Sequence, residues 1–405
     1  MTGSVVYVIG TLDTKKTELR HAAACIAARG VQVRLVDVST ASHEGTADVT
    51  ALEVAGHHPL GTQAIFDQPA RGAAVSAMAT ALARYLSSRS DVAGVIGLGG
   101  SGNTSIVTAA MRALPVGIPK LMVSTMASGD VAPFVGETDI MMMYSVVDIA
   151  GLNAISQQVI ANAANAIAAM ALWRDTTFIS SRAAVGLTMF GVTTPCVQRV
   201  QRALEGDVEC LVFHATGAGG RSMEKLVDSG LLDTVIDVTT TEVADHLVGG
   251  ILPCDEDRLG TIIRRKCPYV GSVGAVDMVN FGARETIPPR FAGRLFHIHN
   301  DQVTLMRTTA NECRAIGNWI VDRLNRMEGP VRFVLPLQGL SALDRAGEPF
   351  HDPAADEALF DAIRNGWNAA PNRRLIEIDA HINDPAFSDE LLRQFLSITP
   401  EVKCP

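Results

Sequence analysis

Aromatic side chains are scarce, 5% of a 405-residue chain in which 47% of residues are hydrophobic. A core built under that constraint is aliphatic, made of Val, Ile, Leu, Ala and Met. Basic residues are outnumbered, 34 Lys and Arg against 43 Asp and Glu, for a net charge of −9. That balance argues against a nucleic-acid binder, which needs a basic face to neutralise phosphates, and it offers no attraction to anionic membranes. The seven cysteines are an odd number with no CxxC pair, so they form no disulfide framework and fit a reducing compartment. Long hydrophobic runs are missing too. Val5–Ile9 is too short for the core of a signal peptide and lacks a basic flank. The most apolar helical stretch, Val159 to Leu172, is interrupted by Asn162 and Asn165 and is too short and polar to span a bilayer. A cytoplasmic protein with neither nucleic-acid nor membrane partners is expected.

What the chain does contain is glycine, 35 residues, distributed as punctuation. A short apolar run, a turn rich in Gly, Ser, Thr or Asp, and an amphipathic helix recur along the first half. Val5–Ile9, Val31–Val38, Val92–Gly97 and Lys120–Val123 read as strands, and a long helix, about Asn153 to Trp173, ends the series. Residues 41–70 show no clear period and read as a surface excursion. The pattern restarts at Ala184–Met189 and runs through the strands Glu209–Phe213, Arg294–His299, Val331–Leu335 and Leu375–Ile378. The expected fold is α/β, with two Rossmann-like domains, 1–181 and 182–405, each a mostly parallel sheet flanked by helices. Such sheets bind ligands at the carboxyl ends of their strands.

Gly97-Leu98-Gly99-Gly100-Ser101-Gly102 follows a strand and opens a helix. Glycines let the backbone approach a phosphate, and helix-start amides carry partial positive charge toward it. Asn103, Thr104 and Ser105 add polar groups. The motif is not in the first βα unit, no acidic residue ends the next strand, and no Lys stands in a Walker position, so an anion cradle is favoured over a dinucleotide fingerprint. Its plain alternative is a tight turn. In Gly10-Thr11-Leu12-Asp13-Thr14-Lys15, Asp13 can hold a metal or a ribose hydroxyl and Lys15 a phosphate, with Thr11 beside them. A helix cap and a solvated charge are equally good readings. Asp37, ending the second strand, is where a ribose hydroxyl is often held. Ser124, Thr125, Ser128 and Gly129 are candidates for the pocket's other wall. Met141-Met142-Met143-Tyr144 reads as core.

In the second half, His297 and His299 share one face of a strand, and Asp379-Ala380-His381-Ile382-Asn383-Asp384 is dense in acid–base groups. His297, His299, His381 and Asp384 are candidate catalytic residues, or ligands for a metal of unknown kind; hydrogen-bonded structural histidines are the plain alternative. Cys196 follows Thr193-Thr194-Pro195 at a helix start, where the dipole lowers a thiol pKa, although most cysteines are inert core residues. Arg307 can clamp a carboxylate or phosphate, or form a surface ion pair.

Gly10–Lys15, Gly99–Ser105, Met122–Asp130 and Tyr144–Asn153 resemble strings of the Tm-one-like ATP-binding proteins, the family of the tomato tobamovirus-resistance protein. So do His214–Gly217, Asp277–Phe281, Thr304–Thr309 and His381–Asp384. The resemblance spans nearly the whole chain. It implies two Rossmann-like subdomains, dimerisation, and ATP binding in at least one member; no reaction is implied. In Pro253–Arg258 this chain is acidic where the resemblance leads one to expect small residues. The expected function is binding of a nucleotide, ATP first with Mg2+ as companion, or of another phosphorylated ligand. The alternatives are a hydrolase- or lyase-type enzyme acting on a small carbonyl or carboxylate compound through the second-domain His and Asp residues, and a regulatory module with a vestigial site.

Overall fold

The computed structural model describes residues 5–41, 46–174 and 182–399. The chain divides into two compact units, residues 1–178 and 179–405. The boundary expected between 181 and 182 borders the segment 175–181, which lies outside the described residues.

The first unit runs β1 (Val5–Gly10), α1 (Leu12–Ala27), β2 (Gln32–Asp37), α2 (Ala51–Ala55), α3 (Gln63–Phe66), α4 (Arg71–Ser87), β3 (Val92–Gly99), α5 (Ser101–Ala113), β4 (Lys120–Ser124), α6 (Ala132–Val135), β5 (Met141–Tyr144) and α7 (Ala154–Leu172). Its five strands are parallel, in the order β2-β1-β3-β4-β5. Alternation along β1 sorts its side chains between two cores. Val5, Tyr7 and Ile9 pack with α4 and α5, whereas Val6 and Val8 pack with α1 and α7. The result is a sheet covered on both faces, which is why β1 and the middle of β3 read as continuous apolar runs.

The second unit runs β6 (Ala184–Met189), α8 (Thr194–Leu204), β7 (Glu209–His214), α9 (Ala218–Asp228), β8 (Thr234–Thr239), α10 (Thr241–Val248), α11 (Gly260–Arg265), β9 (Tyr269–Gly274), β10 (Met278–Phe281), β11 (Phe296–Asn300), β12 (Val303–Arg307), α12 (Ala310–Arg326), β13 (Val331–Pro336), α13 (Pro353–Gly366), β14 (Arg373–Ile378) and α14 (Pro385–Ile398). Six of these strands form a parallel sheet ordered β14-β13-β9-β8-β6-β7. Numbered within the unit, that order is 2-1-3-4-5-6, the same as the first unit's 2-1-3-4-5 with one strand added. The α/β class with parallel sheets therefore holds for both halves.

Several local expectations fail. Met141–Tyr144 is core only in part: β5 is a sheet edge, where Met142 and Met143 pack against the two cores while Met141 and Tyr144 are about half exposed. Residues 46–70 are not a plain excursion, because Val49, Ala51, Val54, Ala55 and Ile65 insert into the core against α4. The strand bearing His297 and His299 is not part of the parallel sheet. It pairs antiparallel with β12 in a separate three-stranded sheet, and its register slips between Ile298 and Asn300. A regular two-residue period through both histidines is thus interrupted.

Candidate functional site

In a parallel sheet of order 2-1-3-4-5 the chain reverses direction across the sheet between strands 1 and 3, which leaves a crevice at their carboxyl ends. In the first unit those ends are Gly10 and Gly99, each followed at once by a helix. The two helix starts are served differently. At α1 the chain turns without a loop, so the expected turn Gly10–Lys15 is already helical from Leu12, with a break at Lys15 (φ −126°, ψ 19°). The amide of Leu12 donates to Asp37 Oδ1 (3.0 Å), and that of Asp13 to Ser39 Oγ (3.3 Å). Ser39 in turn donates to the same Asp37 oxygen through its amide (3.0 Å) and hydroxyl (2.6 Å). Asp37 is fully buried and acts as a resident anion for α1. All of these bonds go to Oδ1; Asp37 Oδ2 is buried without a hydrogen-bond partner among the described residues.

At α5 no side chain among the described residues plays that part. The N-cap is Gly100, without a capping bond, and the first intrahelical acceptance is Thr104 N–H to Gly100 O (2.9 Å). The amides of Ser101, Gly102 and Asn103 therefore have no intrahelical acceptor. The glycines of this loop fall into two kinds. A Cβ on Gly97 would lie 2.6 Å from Met122 Sδ, and one on Gly99 2.7 Å from Asn103 Cβ, so packing requires both. A Cβ on Gly100 or Gly102 would come no closer than 3.7 Å (Thr125 Oγ1) or 3.9 Å (Val75 Cγ2), and neither glycine has positive φ. The protein's own packing does not demand glycine at 100 and 102; an approaching ligand would.

A cleft of about 490 Å³ opens here. It is lined by Thr11, Asp13, Thr14, Lys15, Gly100, Ser101, Gly102 and Asn103 from the two motifs, and by Thr40, Ala41, Arg71, Val75, Ile106 and Asp148. Of the residues expected to bind a cofactor, Thr11, Asp13, Lys15, Gly100, Ser101, Gly102 and Asn103 meet in it. Thr104 and Ser124 lie beneath, buried and bonded to each other through their hydroxyls (2.6 Å). Ser105 returns its hydroxyl to Ser101 O (3.0 Å). Gly99, Thr125, Ser128 and Gly129 are not among the lining residues. Arg71 and Asp148 were not singled out from the sequence. Arg71 starts α4 beyond the stretch read as an excursion, and Asp148 is carried in from the loop after edge strand β5. Among the described residues, neither Lys15 nor Arg71 has an acidic partner.

Two of the second-unit candidates, His381 and Asp384, are engaged by hydrogen bonds within the fold. His381 is buried, its Nε2 2.8 Å from Ser341 O and its Nδ1 accepting from Asn383 N–H (3.1 Å). Burial lowers its pKa. Asp384 precedes α14, accepting from His381 N–H (3.0 Å) and from Arg345 (2.5 Å). His297 lies edge-on to Phe350, and His299 is exposed. Among the described residues no three His, Cys, Asp or Glu side chains gather as a metal-binding group. Cys196 is fully buried, and burial pushes its thiol up to about 12 against a hydrogen bond from Ser388. The dipole-activated thiolate is thereby overturned. Arg307 is neither a ligand clamp nor a surface pair. It is buried, and its guanidinium donates to Asp356 Oδ1 (2.6 Å) and Phe350 O (2.7 Å). In the acidic segment, Arg258 is fully buried between Glu242 (2.6 Å), Asp237 (2.7 Å) and Glu224 (3.0 Å).

Family models divide the chain at the same place as the fold: residues 4–176 match the N-terminal domain, and residues 182–399 the C-terminal domain, of an uncharacterised protein family, UPF0261. The chain belongs to the UPF0261 family. A UPF0261 protein of Rhizobium meliloti is 54% identical over 393 residues, covering 97% of this chain and 98% of that one. A Clostridium tetani member is 40% identical, again over 97% and 98% of the two chains. The ToMV resistance protein Tm-1 of Solanum lycopersicum is 42% identical over 98% of this chain, which spans 56% of that longer protein. The resemblance noted on the strings above is thus a true kinship across both UPF0261 domains. No described helix is long and apolar enough to cross a membrane.

Proposed function

We propose that the first unit binds a phosphorylated ligand, ATP foremost, with its phosphates on the start of α5. The observation that carries this reading is the contrast between two helix starts at one crevice. Asp37 already occupies α1, whereas α5 offers free amides above two glycines whose Cβ positions are open. A helix start concentrates roughly half a positive charge, and backbone amides at that point suit phosphate oxygens. Lys15 and Arg71, without acidic partners among the described residues, supply mobile and bidentate donors respectively. The choice of ATP among phosphate esters follows from the resemblance to the Tm-one-like proteins. Among the described residues, no side chain lining the cleft is aromatic, which fits a ligand held by its phosphates more than by a stacked ring. Calorimetric titration with ATP in magnesium buffer tests the reading. Binding to the wild type and its loss in Gly100→Asp are expected; no heat for the wild type, or unchanged affinity in the variant, would sink it.

A further inference from the structure

Between β13 and α13 the second unit carries a strap, residues 339–352, at the strand ends of its parallel sheet. Its tip, Arg345 to Pro349, is exposed, whereas Ser341, Asp344 and Phe350 are buried. Phe350 and Leu343 close on Ala275, Met278 and Leu305, with Phe190 and Val192 beside them, in an apolar cluster separate from the unit's two larger cores. Phe190 and Val192 follow β6, and Ala275 follows β9. The seat of the strap is therefore the end of the sheet at which such folds take ligands. What holds the strap down is ionisable. Arg307 on β12 donates to Phe350 O (2.7 Å) and Asp352 O (3.3 Å), the Ser341 hydroxyl donates to Asp277 Oδ2 (2.8 Å), and Leu340 N–H donates to Asp344 Oδ2 (3.0 Å). Three carboxyls, Asp277, Asp344 and Asp356, surround the one guanidinium of Arg307, and all four side chains are buried. Asp277 Oδ1 and Asp344 Oδ1 have no hydrogen-bond partner among the described residues. Full ionisation would leave uncompensated negative charge in a desolvated site. Among the described residues the three do not converge as a metal-binding group. Burial and repulsion from Asp344 raise the pKa of Asp277 and of Asp356.

We propose that the strap is a proton-held latch: protons kept on Asp277 and Asp356 leave one carboxylate for the one guanidinium and hold residues 339–352 seated, and loss of those protons above neutral pH releases the strap and bares the seat of Phe350. The sign follows from the direction of the shifts. A carboxyl whose pKa is raised in the closed form stabilises that form at low pH, and the contribution fades as pH rises through the raised value, by up to about tenfold in the opening equilibrium per proton and pH unit. The other groups around the latch do not share this window. Burial pushes the Cys313 thiol on α12 up to about 11 and lowers the pKa of His381, whose Nε2 meets Ser341 O (2.8 Å). Arg345 pairs with Asp384 on the exposed side, and Asp352 caps α13 through Ala355 N–H. His297 lies edge-on to Phe350, and the exposed His351 adjoins it in the chain. The latch lies wholly in the second unit and does not depend on what the first unit binds.

Hydrogen exchange of the full chain, read by mass spectrometry between about pH 7 and pH 9 and corrected for the intrinsic pH dependence of exchange, tests this. The reporting amides are those of Ala342, which donates to Val192 O (3.0 Å), of Phe350, which donates to Leu343 O (2.9 Å), and of Ala275, which donates to Leu340 O (2.9 Å). Their protection is expected to fall about tenfold or more across that range, while protection of α8 stays level. Asp277→Asn keeps an acceptor for Ser341 and removes one charge, so its decline should be shallower, as should that of Asp356→Asn. The double substitution Asp277→Asn, Asp356→Asn should hold the strap closed throughout. Protection of the strap that is level with pH in the wild type overturns the latch. So does a loss that α8 shares, which would mark opening of the whole unit. A double variant that folds, as its α8 protection reports, and declines as steeply as the wild type would remove the two carboxyls from the device. If the variants do not fold, the wild-type comparison of strap and α8 decides alone.

Discussion

The two units present the same strand order and opposite uses of its crevice. In the first, β3 ends at Gly99, Gly100 caps, and α5 begins Ser101-Gly102. At the corresponding strand of the second, β8 ends at Thr239, Thr240 caps, and α10 begins Thr241-Glu242. Where the first unit has open glycine, the second has its own anion. Glu242 is fully buried, held by Arg258 and by the amide of Gly217 (2.8 Å). The neighbouring strand ends close on each other through the Thr193 and Thr239 hydroxyls (2.8 Å), with Thr188 bonded to Asp237 (2.6 Å). In the second unit the crevice is filled from its own chain.

This contrast can be broken from either side. The largest effect is expected at the resident ion cluster. Arg258→Met leaves three buried carboxylates without their counter-charge and should cost about 3–5 kcal/mol, read as a shift of the urea unfolding transition. A variant as stable as the wild type would show that the cluster is not what closes the second crevice. Next, Gly102→Glu transplants the second unit's anion into the first. It should weaken ATP binding by about a hundredfold, roughly 2.7 kcal/mol, with little change in melting temperature, since the added Cβ meets nothing closer than 3.9 Å. Unchanged ATP affinity would mean that the start of α5 is not the phosphate site.

Acidity provides a third handle, confined to the second unit. Burial pushes the Asp245 carboxyl up to about 7, against hydrogen bonds from Asn280 and Leu252. Burial and the adjacent Asp344 likewise raise Asp277 and Asp356. A carboxyl whose pKa is higher folded than unfolded stabilises the fold most below its unfolded pKa. That contribution is lost as pH rises through the folded value. For Asp245 the loss should fall between roughly pH 4 and about 7, at no more than about 1.4 kcal/mol per pH unit. Urea melts of Asp245→Asn should show a shallower decline over that window; an identical slope would remove Asp245 from the account. The smallest effect is expected from Arg71→Ala, an exposed donor at the cleft rim. A loss of about tenfold in ATP affinity, about 1.4 kcal/mol, is anticipated by calorimetry, with stability unaltered.

Legibility differed between the units for a physical reason. The glycine loop of the first unit is a contiguous string, and its neighbours Thr11, Asp13 and Lys15 lie at the end of the adjacent strand, so motif and site coincide. Arg71 and Asp148 come from a helix start and an edge loop that only the sheet order brings to the crevice. In the second unit, the short polar strings around His381, Arg307 and Cys196 look reactive on paper. Reactivity depends on exposure and on unspent hydrogen bonds, neither of which is a property of a string. Cys196 shows this most sharply. Its place at a helix start favours a thiolate, but α14, with Phe387 and Leu391, packs over it and reverses the balance.

The sequence by itself determined the α/β alternation, the aliphatic double-faced sheets and the place of the glycine loop, because apolar periodicity and turn chemistry act within a few residues of their cause. Tertiary structure decided which of the helix starts stay open. Asp37 can hold either a ligand's hydroxyl or its own chain's amides, and Glu242 either a partner's charge or Arg258. The choice is made by what folds to within hydrogen-bond distance, across separations of 16 to 25 residues along the chain.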